Sequence, residues 1–281
     1  MNDAELRDAH KLDQERRGLM RSSIGRREQM LRVIARVTCT PLLEITRPQI
    51  ELFLDRRHLK DVTRRIWIVH LHEFYKWAIR EDLTMVDPTA KIIRPRVHPG
   101  EPRPADSAEL GAALSAAGPQ HRCWLLLAAL EGMRCQEIAG LSTEDVREQK
   151  ALLVIAHGKG DKSRKVPLHP LVLDALKALP MPRRGRLFRK VRGGTYTPAD
   201  LSREFNAFLR SAGVSSNAHS LRHWFGTEFY NSTKDLRMTA DMMGHAHIST
   251  TAVYTKVDTT KAGEFIRAMT FDTPEPEPEA A

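Results

Sequence analysis

The apolar residues in the first third of the chain recur at the three- and four-residue spacing of amphipathic helices. One such pattern runs through Leu31 and follows Ser22-Ser23, which we expect to cap the helix. A second begins at Thr46-Arg47-Pro48, because proline is tolerated in the first turn of a helix. A third has apolar positions at i, i+4, i+7 and i+11: Trp67, Leu71, Phe74 and Ala78. These patterns predict a compact four-helix domain over residues 21–93.

Three segments outside the periodic patterns set the predicted domain boundaries. Residues 1–20 are strongly charged, and we expect a frayed or loosely helical segment there. Residues 94–104, RPRVHPGEPRP, contain four prolines and a glycine, which prevent regular structure and indicate a stiff basic linker. Residues 271–281 are acidic and proline-rich, so we expect a disordered tail. The second domain therefore covers residues 105–270.

The second domain mixes helical patterns with one hairpin signal. Asp106 opens a helix in a capping-box pattern, and an apolar run through Leu130 predicts a buried helix. The β-rich runs 152–155 and 165–168 flank a glycine-containing turn at residues 158–161, which indicates a hairpin. The predicted fold class is mainly α, of the α+β type. It combines an N-terminal four-helix domain with a mixed α/β domain that holds a small β-sheet.

Composition narrows the class of protein. The 281 residues are 41% hydrophobic and 28% charged, with a formal net charge of +9, which favours a polyanionic partner. The three cysteines are widely spaced and lack CxxC pairing, which favours a reduced cytosolic chain. The charged start lacks the apolar core of a signal peptide, and the longest apolar run is too short to cross a membrane. We therefore expect a soluble cytoplasmic protein with no membrane partner.

Basic residues cluster at one helix–helix corner of the first domain and continue into the linker. The cluster comprises Arg56, Arg57, Lys60, Arg64, Arg65, Arg94 and Arg96. One interpretation is a solvated basic face. The other is a surface that grips DNA phosphates and so fixes position without reading sequence.

A short C-terminal stretch groups residues suited to handling a phosphodiester. It contains His219-Ser-Leu-Arg222-His223, then Met243-Gly244-His245, then Thr250-Thr251-Ala-Val-Tyr254, and Arg134 supplies a second arginine earlier in the chain. Two guanidinium groups can bind phosphate bidentately and stay charged. A nearby positive cluster also favours the phenolate of a tyrosine, whose ordinary pKa is about 10. Tyr254 is therefore the candidate nucleophile.

Four further residues complete the candidate site. Lys159, on the glycine-flanked turn, can protonate a leaving oxygen, although Lys162 and Lys165 compete for this role. His219 and His245 can donate to the phosphate or assist proton transfer. Glu137 can orient the site by accepting hydrogen bonds, or it is an ordinary surface carboxylate.

Metal binding is the rival explanation of the histidines. His219 and His223 are four residues apart on a predicted helix, which can place both imidazoles on one face. No glutamate lies between them as in HExxH, and Arg222 would repel a cation. We therefore expect no metal and no other cofactor.

In this order and at these separations, the motifs resemble those of the tyrosine recombinase family, which includes phage integrases and Xer-like recombinases. The matching motifs are Gly132-Met133-Arg134-x-x-Glu137-Ile138, Gly158-Lys159-Gly160, His219-Ser-Leu-Arg222-His223, Met243-Gly244-His245 and Thr250-Thr251-x-x-Tyr254. The resemblance extends over residues 105–270, and the N-terminal bundle resembles the core-binding domain of the family.

The resemblance implies a mechanism. Tyr254 would form a 3′-phosphotyrosyl link and free a 5′-hydroxyl, which attacks the partner strand through a Holliday junction. Arg134, His219, Arg222 and His245 would hold the scissile phosphate, with Lys159 as general acid and no metal or ATP. The double-stranded DNA sites would be joined in a homo-tetramer through the C-terminal helix at residues 263–269. An accessory directionality protein is a further expected partner, and the short charged start favours an Xer-like recombinase or minimal integrase.

Two alternatives remain open at this point. A type IB topoisomerase-like enzyme shares the chemistry but acts as a monomer and rejoins the same strand, and the C-terminal helix counts against it. A sequence-specific DNA-binding protein with an idle site is the non-enzymatic alternative.

Overall fold

The computed structural model of the protein describes residues 1–56, 59–97, 105–155, 163–180, 182–245 and 250–251. The chain divides into two compact units, Met1–Gly100 and Glu101–Ala281. Helices dominate both units, and the second also contains a small antiparallel sheet, which confirms the predicted fold class. In the described ranges, no helix is long and apolar enough to cross a membrane.

Only three helices lie within the described part of residues 21–93, where four were predicted; with a helix that precedes residue 21, the described residues of the first unit form a bundle of four. They are α1 (Asp3–Arg16), α2 (Arg21–Thr38), α3 (Arg47–Leu54) and α4 (Asp61–Arg80). Thr46 is the N-cap of α3 with proline in its first turn, as predicted. The prediction of a Ser22–Ser23 cap was wrong. Helix α2 begins at Arg21 with Met20 as its N-cap, so both serines lie within its first turn, which also carries the buried Ile24.

The charged N-terminal segment forms a regular helix, α1, and is part of this bundle. Asn2 caps it by accepting hydrogen bonds from two backbone N–H groups, and Glu5 completes a capping box. On its inner face Leu6, His10 and Gln14 are buried, and the His10 ring lies 4.9 Å from that of Trp77. Three buried residues among fourteen leave little apolar periodicity, which explains why the sequence indicated only a loose helix there.

The described part of the second unit contains seven helices and the small sheet. The helices are α5 (Ser107–Ala116), α6 (Pro119–Leu130), α7 (Cys135–Gly140), α8 (Pro170–Lys177), α9 (Pro198–Ser211), α10 (Ala218–Thr233) and α11 (Leu236–Met243). The central helix α6 buries seven consecutive residues from Cys123 to Ala129, because helices pack on several of its faces. The ring centroid of Trp124 lies within about 6 Å of the ring centroids of Phe188, Tyr196 and Phe205. This core fixes the ends of α6, α7 and α10.

The sheet contains three antiparallel strands in chain order. They are β1 (Val146–Arg147), β2 (Leu152–Ile155) and β3 (Arg164–Pro167). Leu153 pairs with Val166 in the β2–β3 register, and both side chains enter the core. The turn joining β2 to β3, including Lys159, lies outside the described residues.

Candidate active site

A reversal of the chain between α6 and α7 positions Arg134. Gly132 has φ +59°, and a Cβ atom there would lie 2.5 Å from Cδ1 of Phe225, so only glycine fits without strain. The Gly132 carbonyl therefore faces α10, where Arg222 donates a hydrogen bond to it. Two residues later Arg134 becomes the N-cap of α7. The segment 132–134 thus links the two candidate phosphate-binding arginines, because it contains Arg134 and accepts a hydrogen bond from Arg222.

The carboxylate of Glu137 is the centre of an arginine cluster. It accepts hydrogen bonds from the Arg134 backbone N–H at 2.8 Å and from Arg134 Nη1 at 2.9 Å. Arg164, on β3, donates both terminal nitrogens to it at 2.7 and 3.0 Å, in the bidentate geometry that guanidinium favours. Nη1 of Arg222 lies 3.8 Å from Oε2. The predicted orienting carboxylate is therefore buried, with a 1% exposed side chain, rather than at the surface.

The electrostatics of this carboxylate follow from its partners. Burial by itself would raise the pKa of Glu137, but the hydrogen bonds and charge of Arg164, the Arg134 backbone N–H and the charge of Arg222 outweigh it. Together they lower the pKa of Glu137 to about 2. One negative charge therefore faces three fixed positive charges at neutral pH. The cluster has an excess of positive charge and is suited to an anion.

The C-terminal end of α11 forms the other wall of the cluster. Gly244 adopts φ +63°, and His245 N–H donates back to the Ala240 carbonyl at 2.9 Å, the pattern of a Schellman cap. The last carbonyls, which have no partners within the helix, then accept hydrogen bonds from arginines. The donors are Arg164 Nε to Met242 at 2.9 Å, Arg222 to Met243, and Arg134 Nη2 to Gly244 at 3.5 Å. A helix C-terminus favours cations, so α11 and Glu137 hold the same three side chains.

The arginines differ in their access to solvent. The side chain of Arg222 is 1% exposed, whereas that of Arg134 is 23% exposed and borders a cleft of about 340 Å³. Asn217 and His219 also line this cleft. Asn217 caps α10 by accepting from the His219 backbone N–H at 2.8 Å, which places that imidazole at the rim. Arg134 is thus the arginine of the three that an incoming phosphate reaches first.

Three histidines surround the arginines in largely neutral form. The rings of His219 and His223 meet edge to face, with centroids 4.4 Å apart. Desolvation, then the charges of Arg222 and Arg134, lower the pKa of His219, and burial lowers the pKa of His223 to about 4. Burial and the neighbouring arginines also lower the pKa of His245 to about 4. Near pH 7 each neutral imidazole therefore carries one N–H hydrogen-bond donor and one acceptor nitrogen.

A hydrogen bond orients His245. Its Nδ1 lies 2.8 Å from Oγ1 of Thr251, a side chain with no exposed surface. This contact fixes the orientation of the imidazole ring.

Most of the predicted site residues converge in the structure. Arg134, Glu137, Arg222 and His245 are connected through shared hydrogen bonds and the end of α11, with His219 and His223 beside them. Lys159 and Tyr254 lie outside the described residues, so their roles stay predictions. Among the described residues, no group of three His, Cys, Asp or Glu side chains is arranged to hold a metal ion.

Two residues of the site were missed in the sequence, Arg164 and Thr251. Arg164 shares its face of β3 with the buried Val166, two residues on. A charged residue on the inner face of a strand needs a buried partner, and that alternation was the available signal. Thr251 was noted within a motif but gave no sign of its contact, which depends on how α11 ends.

The predicted basic cluster of the first unit forms one corner around the start of α4. Arg65 Nη1 donates to the Pro95 carbonyl at 3.4 Å, which brings the exposed Arg94 and Arg96 to that corner. Arg64 is paired with Asp55, so its charge is partly neutralised. Arg56 lies over the ring of Phe53, 4.9 Å from its centroid. Lys60 is exposed as the N-cap of α4, and Arg57 lies outside the described residues.

Comparison with known proteins gives the class of enzyme. The chain is 28% identical over 250 residues to tyrosine recombinase XerC of Corynebacterium efficiens, covering 82% of this chain and 79% of that one. It is 31% identical over 201 residues to XerC of Azotobacter vinelandii, covering 67% of each chain. The fold is similar to the Tn1549 transposon integrase in complex with transposon right end DNA, with TM-score 0.73, 18% identity, and 96% and 100% of the two chains covered. Fold and relatives together define a tyrosine-type site-specific recombinase.

The family is shown by the second unit, which carries the candidate active site. Residues 106–261 match the phage integrase family, so the chain belongs to that family. A lambda integrase dimer bound to a COC′ core site shares the fold as well, with TM-score 0.72 at 15% identity over 98% of this chain and 80% of that one. The resemblance drawn from the motifs is thereby confirmed.

Proposed function

We propose that the chain cuts and rejoins double-stranded DNA through Tyr254, with Arg134, Arg222, His219 and His245 holding the scissile phosphate. The observation that carries this proposal is the convergence of Arg134 and Arg222 on the end of α11, immediately before His245. Positive charge fixed in advance stabilises the charge that develops on the non-bridging oxygens of phosphorus. It costs no reorganisation at the moment of reaction.

The proposed reaction conserves the energy of the phosphodiester. The Tyr254 oxygen attacks phosphorus, the bond from phosphorus to O5′ breaks, and a 3′-phosphotyrosyl ester forms. The phenolic proton passes to His245, whose pKa of about 4 in this structure rises when the anionic phosphate binds beside it, and Lys159 supplies the proton to O5′. The freed 5′-hydroxyl of a partner strand then reverses the step. Repetition on the second strand pair passes through a Holliday junction, without metal or ATP.

The proposal also includes partners. Double-stranded DNA is the substrate, and the basic corner of the first unit, with Lys60, Arg94 and Arg96 exposed, supports contact with its phosphates. Assembly as a homo-tetramer through residues 263–269, which lie outside the described residues, an accessory directionality protein and a cytoplasmic location belong to the same proposal.

The test is a covalent-trapping experiment with wild type and Tyr254→Phe. A recombination site is first selected by the protein from a random duplex pool and then built as a nicked suicide substrate. After incubation in EDTA without ATP, a denaturing protein gel is expected to show a protein–DNA band for wild type only. A band for both proteins would place the nucleophile elsewhere. If wild type binds this DNA but forms no band, the site is idle.

Replacing Thr251 tests the orientation of His245. Thr251→Val removes the hydroxyl group and is expected to slow single-turnover cleavage about tenfold, the equivalent of one hydrogen bond. Thr251→Ser keeps the hydroxyl and should retain most of the rate. Nitrogen chemical shifts of ¹⁵N-labelled histidine report the tautomer, which is expected to change in Thr251→Val alone. Equal rates for the valine and serine variants would contradict this role.

A further inference from the structure

An ordered, arginine-rich segment lies beside α7 and has no role in the reaction described above. We define the arginine loop as residues 183–195. Its five arginines are all exposed: Arg183, Arg184, Arg186, Arg189 and Arg192. Among the described residues, no carboxylate forms an ion pair with any of the five, whereas Lys190 in the same loop is paired with Asp200 at 2.6 Å.

Hydrogen bonds hold the base of the loop against the chain that follows α7. Leu187 N–H donates to the Leu141 carbonyl at 2.9 Å, and Thr143 N–H donates to the Gly185 carbonyl at 3.0 Å. Leu187 and the neighbouring Phe188 are buried in the core of the unit. The arginines at this end of the loop therefore project from a fixed backbone, which lowers the entropy lost when they bind a ligand.

The far end of the loop is a closed turn. Arg189 and Thr195 form an antiparallel bridge, and Lys190 N–H donates to the Gly194 carbonyl at 3.0 Å. Tyr196, directly after the turn, is buried against Trp124. A buried residue thus lies on each side of the turn, Phe188 before it and Tyr196 after it, and Arg189 and Arg192 are exposed between them.

The loop and the candidate active site share α7. Arg134 lies at the N-terminal end of this helix, and Arg186 lies at its C-terminal end, where a Cβ on Gly140 would be 3.0 Å from Arg186 Nη1. The helix has six residues, so the two ends are about 9 Å apart. Phosphates of one DNA strand rise about 3.4 Å per nucleotide along the axis, so a strand whose axis runs parallel to α7 covers two to three nucleotides over this distance.

A cleft of about 580 Å³ beside α7 is lined by Gln136 and Glu137 of that helix and by Arg186 of the loop. Two acidic residues also line it, but their carboxylates accept hydrogen bonds from the protein. Asp145 accepts from Ser142 at 2.7 and 2.9 Å, and Glu144 from the Gly185 backbone N–H at 3.2 Å.

We infer that the arginine loop binds the sugar–phosphate backbone of the substrate DNA two to three nucleotides from the scissile phosphate. This inference rests on the proposed function for its choice of polyanion. The loop extends the positive charge of Arg134 along one strand and fixes the register of the scissile phosphate. Contacts to phosphates fix position on the duplex and carry no sequence information directly.

The test compares two full-length variants that remove the same charge. In the loop variant, Arg184, Arg186, Arg189 and Arg192 become glutamine. In the control variant, glutamine replaces four cations that already pair with carboxylates: Arg17, Arg32, Lys177 and Arg203. Binding to a random-sequence duplex of about 30 base pairs is measured from low to moderate salt. A plot of the logarithm of the association constant against the logarithm of the salt concentration has a negative slope. For the loop variant the magnitude of this slope is expected to decrease by up to about 3.6, which is about 0.9 for each lost phosphate contact. For the control variant it should change little.

Ethylation interference on the selected site locates the contacts. Wild type should show interference two to three nucleotides from the cut, and the loop variant should lose those positions only. The inference is overturned if both variants decrease the magnitude of the slope equally, or if the interference pattern is unchanged. Binding needs no cleavage, so a loop effect without a covalent band would reject the proposed chemistry and keep the DNA contact. Absence of duplex binding by wild type would reject both.

Discussion

Arg222→Lys is expected to lower the rate of single-turnover DNA cleavage by about a hundred- to a thousandfold. The guanidinium of Arg222 donates to the Gly132 and Met243 carbonyls and lies 3.8 Å from Glu137, so it spans three fixed acceptors. A lysine ammonium is a single point charge that cannot reach all of them. We therefore expect the substitution to slow the chemical step and also to shift α7 and α11.

A second substrate separates the electrostatic effect from a structural one. A methylphosphonate at the scissile position removes the negative charge of one non-bridging oxygen, so the loss of a well-placed guanidinium group matters less. The deficit of Arg222→Lys is expected to shrink on this substrate. If the deficit is equal on both substrates, Arg222 acts by holding the fold alone. Arg210→Lys, an exposed position on α9, is the matched control and should cleave at the wild-type rate.

Glu137→Gln is expected to lower the free energy of unfolding by about 3–5 kcal/mol, the usual cost of removing one partner from a buried ion pair. Glutamine is nearly isosteric, so the change removes charge and leaves the packing. Three guanidinium groups would then face each other without a counter-charge. Denaturant unfolding of the full chain measures this loss.

A double-mutant cycle with Arg164→Met tests whether Glu137 and Arg164 stabilise the fold as a pair. By itself Arg164→Met also destabilises the fold, because Glu137 loses its bidentate donor. The double variant Glu137→Gln/Arg164→Met should be less destabilised than the sum of the single variants, since fewer unpaired charges remain. Strict additivity would show that the two side chains do not act as a pair.

The pH dependence of stability gives an independent check on Glu137. Its pKa is lowered to about 2 in the folded chain, from an ordinary value of 4.5. The stabilisation is therefore complete above pH 4.5 and is lost as the pH falls towards 2. Wild type should lose its advantage over Glu137→Gln within this interval. If the two proteins lose stability in parallel there, the carboxylate is not held in its charged form.

The parts of the fold that follow from local chemistry could be predicted from the sequence. The apolar spacing of Leu71, Phe74 and Ala78 marks the inner face of α4, and all three are buried. Thr46 followed by Pro48 marks the start of α3 for reasons within one turn. The residue types in the C-terminal motifs indicated phosphate chemistry, because few other ligands need arginine and histidine together.

What depended on tertiary contacts could not be predicted. The helix α1 buries Leu6, His10 and Gln14 against residues that lie far along the chain, so its own sequence looks solvated. The alternation with Val166 indicates that Arg164 faces inward, but its partners Glu137 and Met242 are brought to it only by the tertiary fold. Whether a basic residue is buried or exposed depends on its partner across the fold rather than on its neighbours in sequence.

The hydrogen bonds of the arginine cluster also determine when the site can exist during synthesis. Arg134 contacts carbonyls 109 and 110 residues further along the chain, and Arg164 contacts one 78 residues further. A ribosome-bound chain that has not yet released α11 can form neither contact. Because domains fold as units once their sequence has emerged, the phosphate-binding arginines come together only when the catalytic unit is almost complete. A chain that ends before α11 therefore carries Arg134, Arg164 and Arg222 without the carbonyl groups that hold them together.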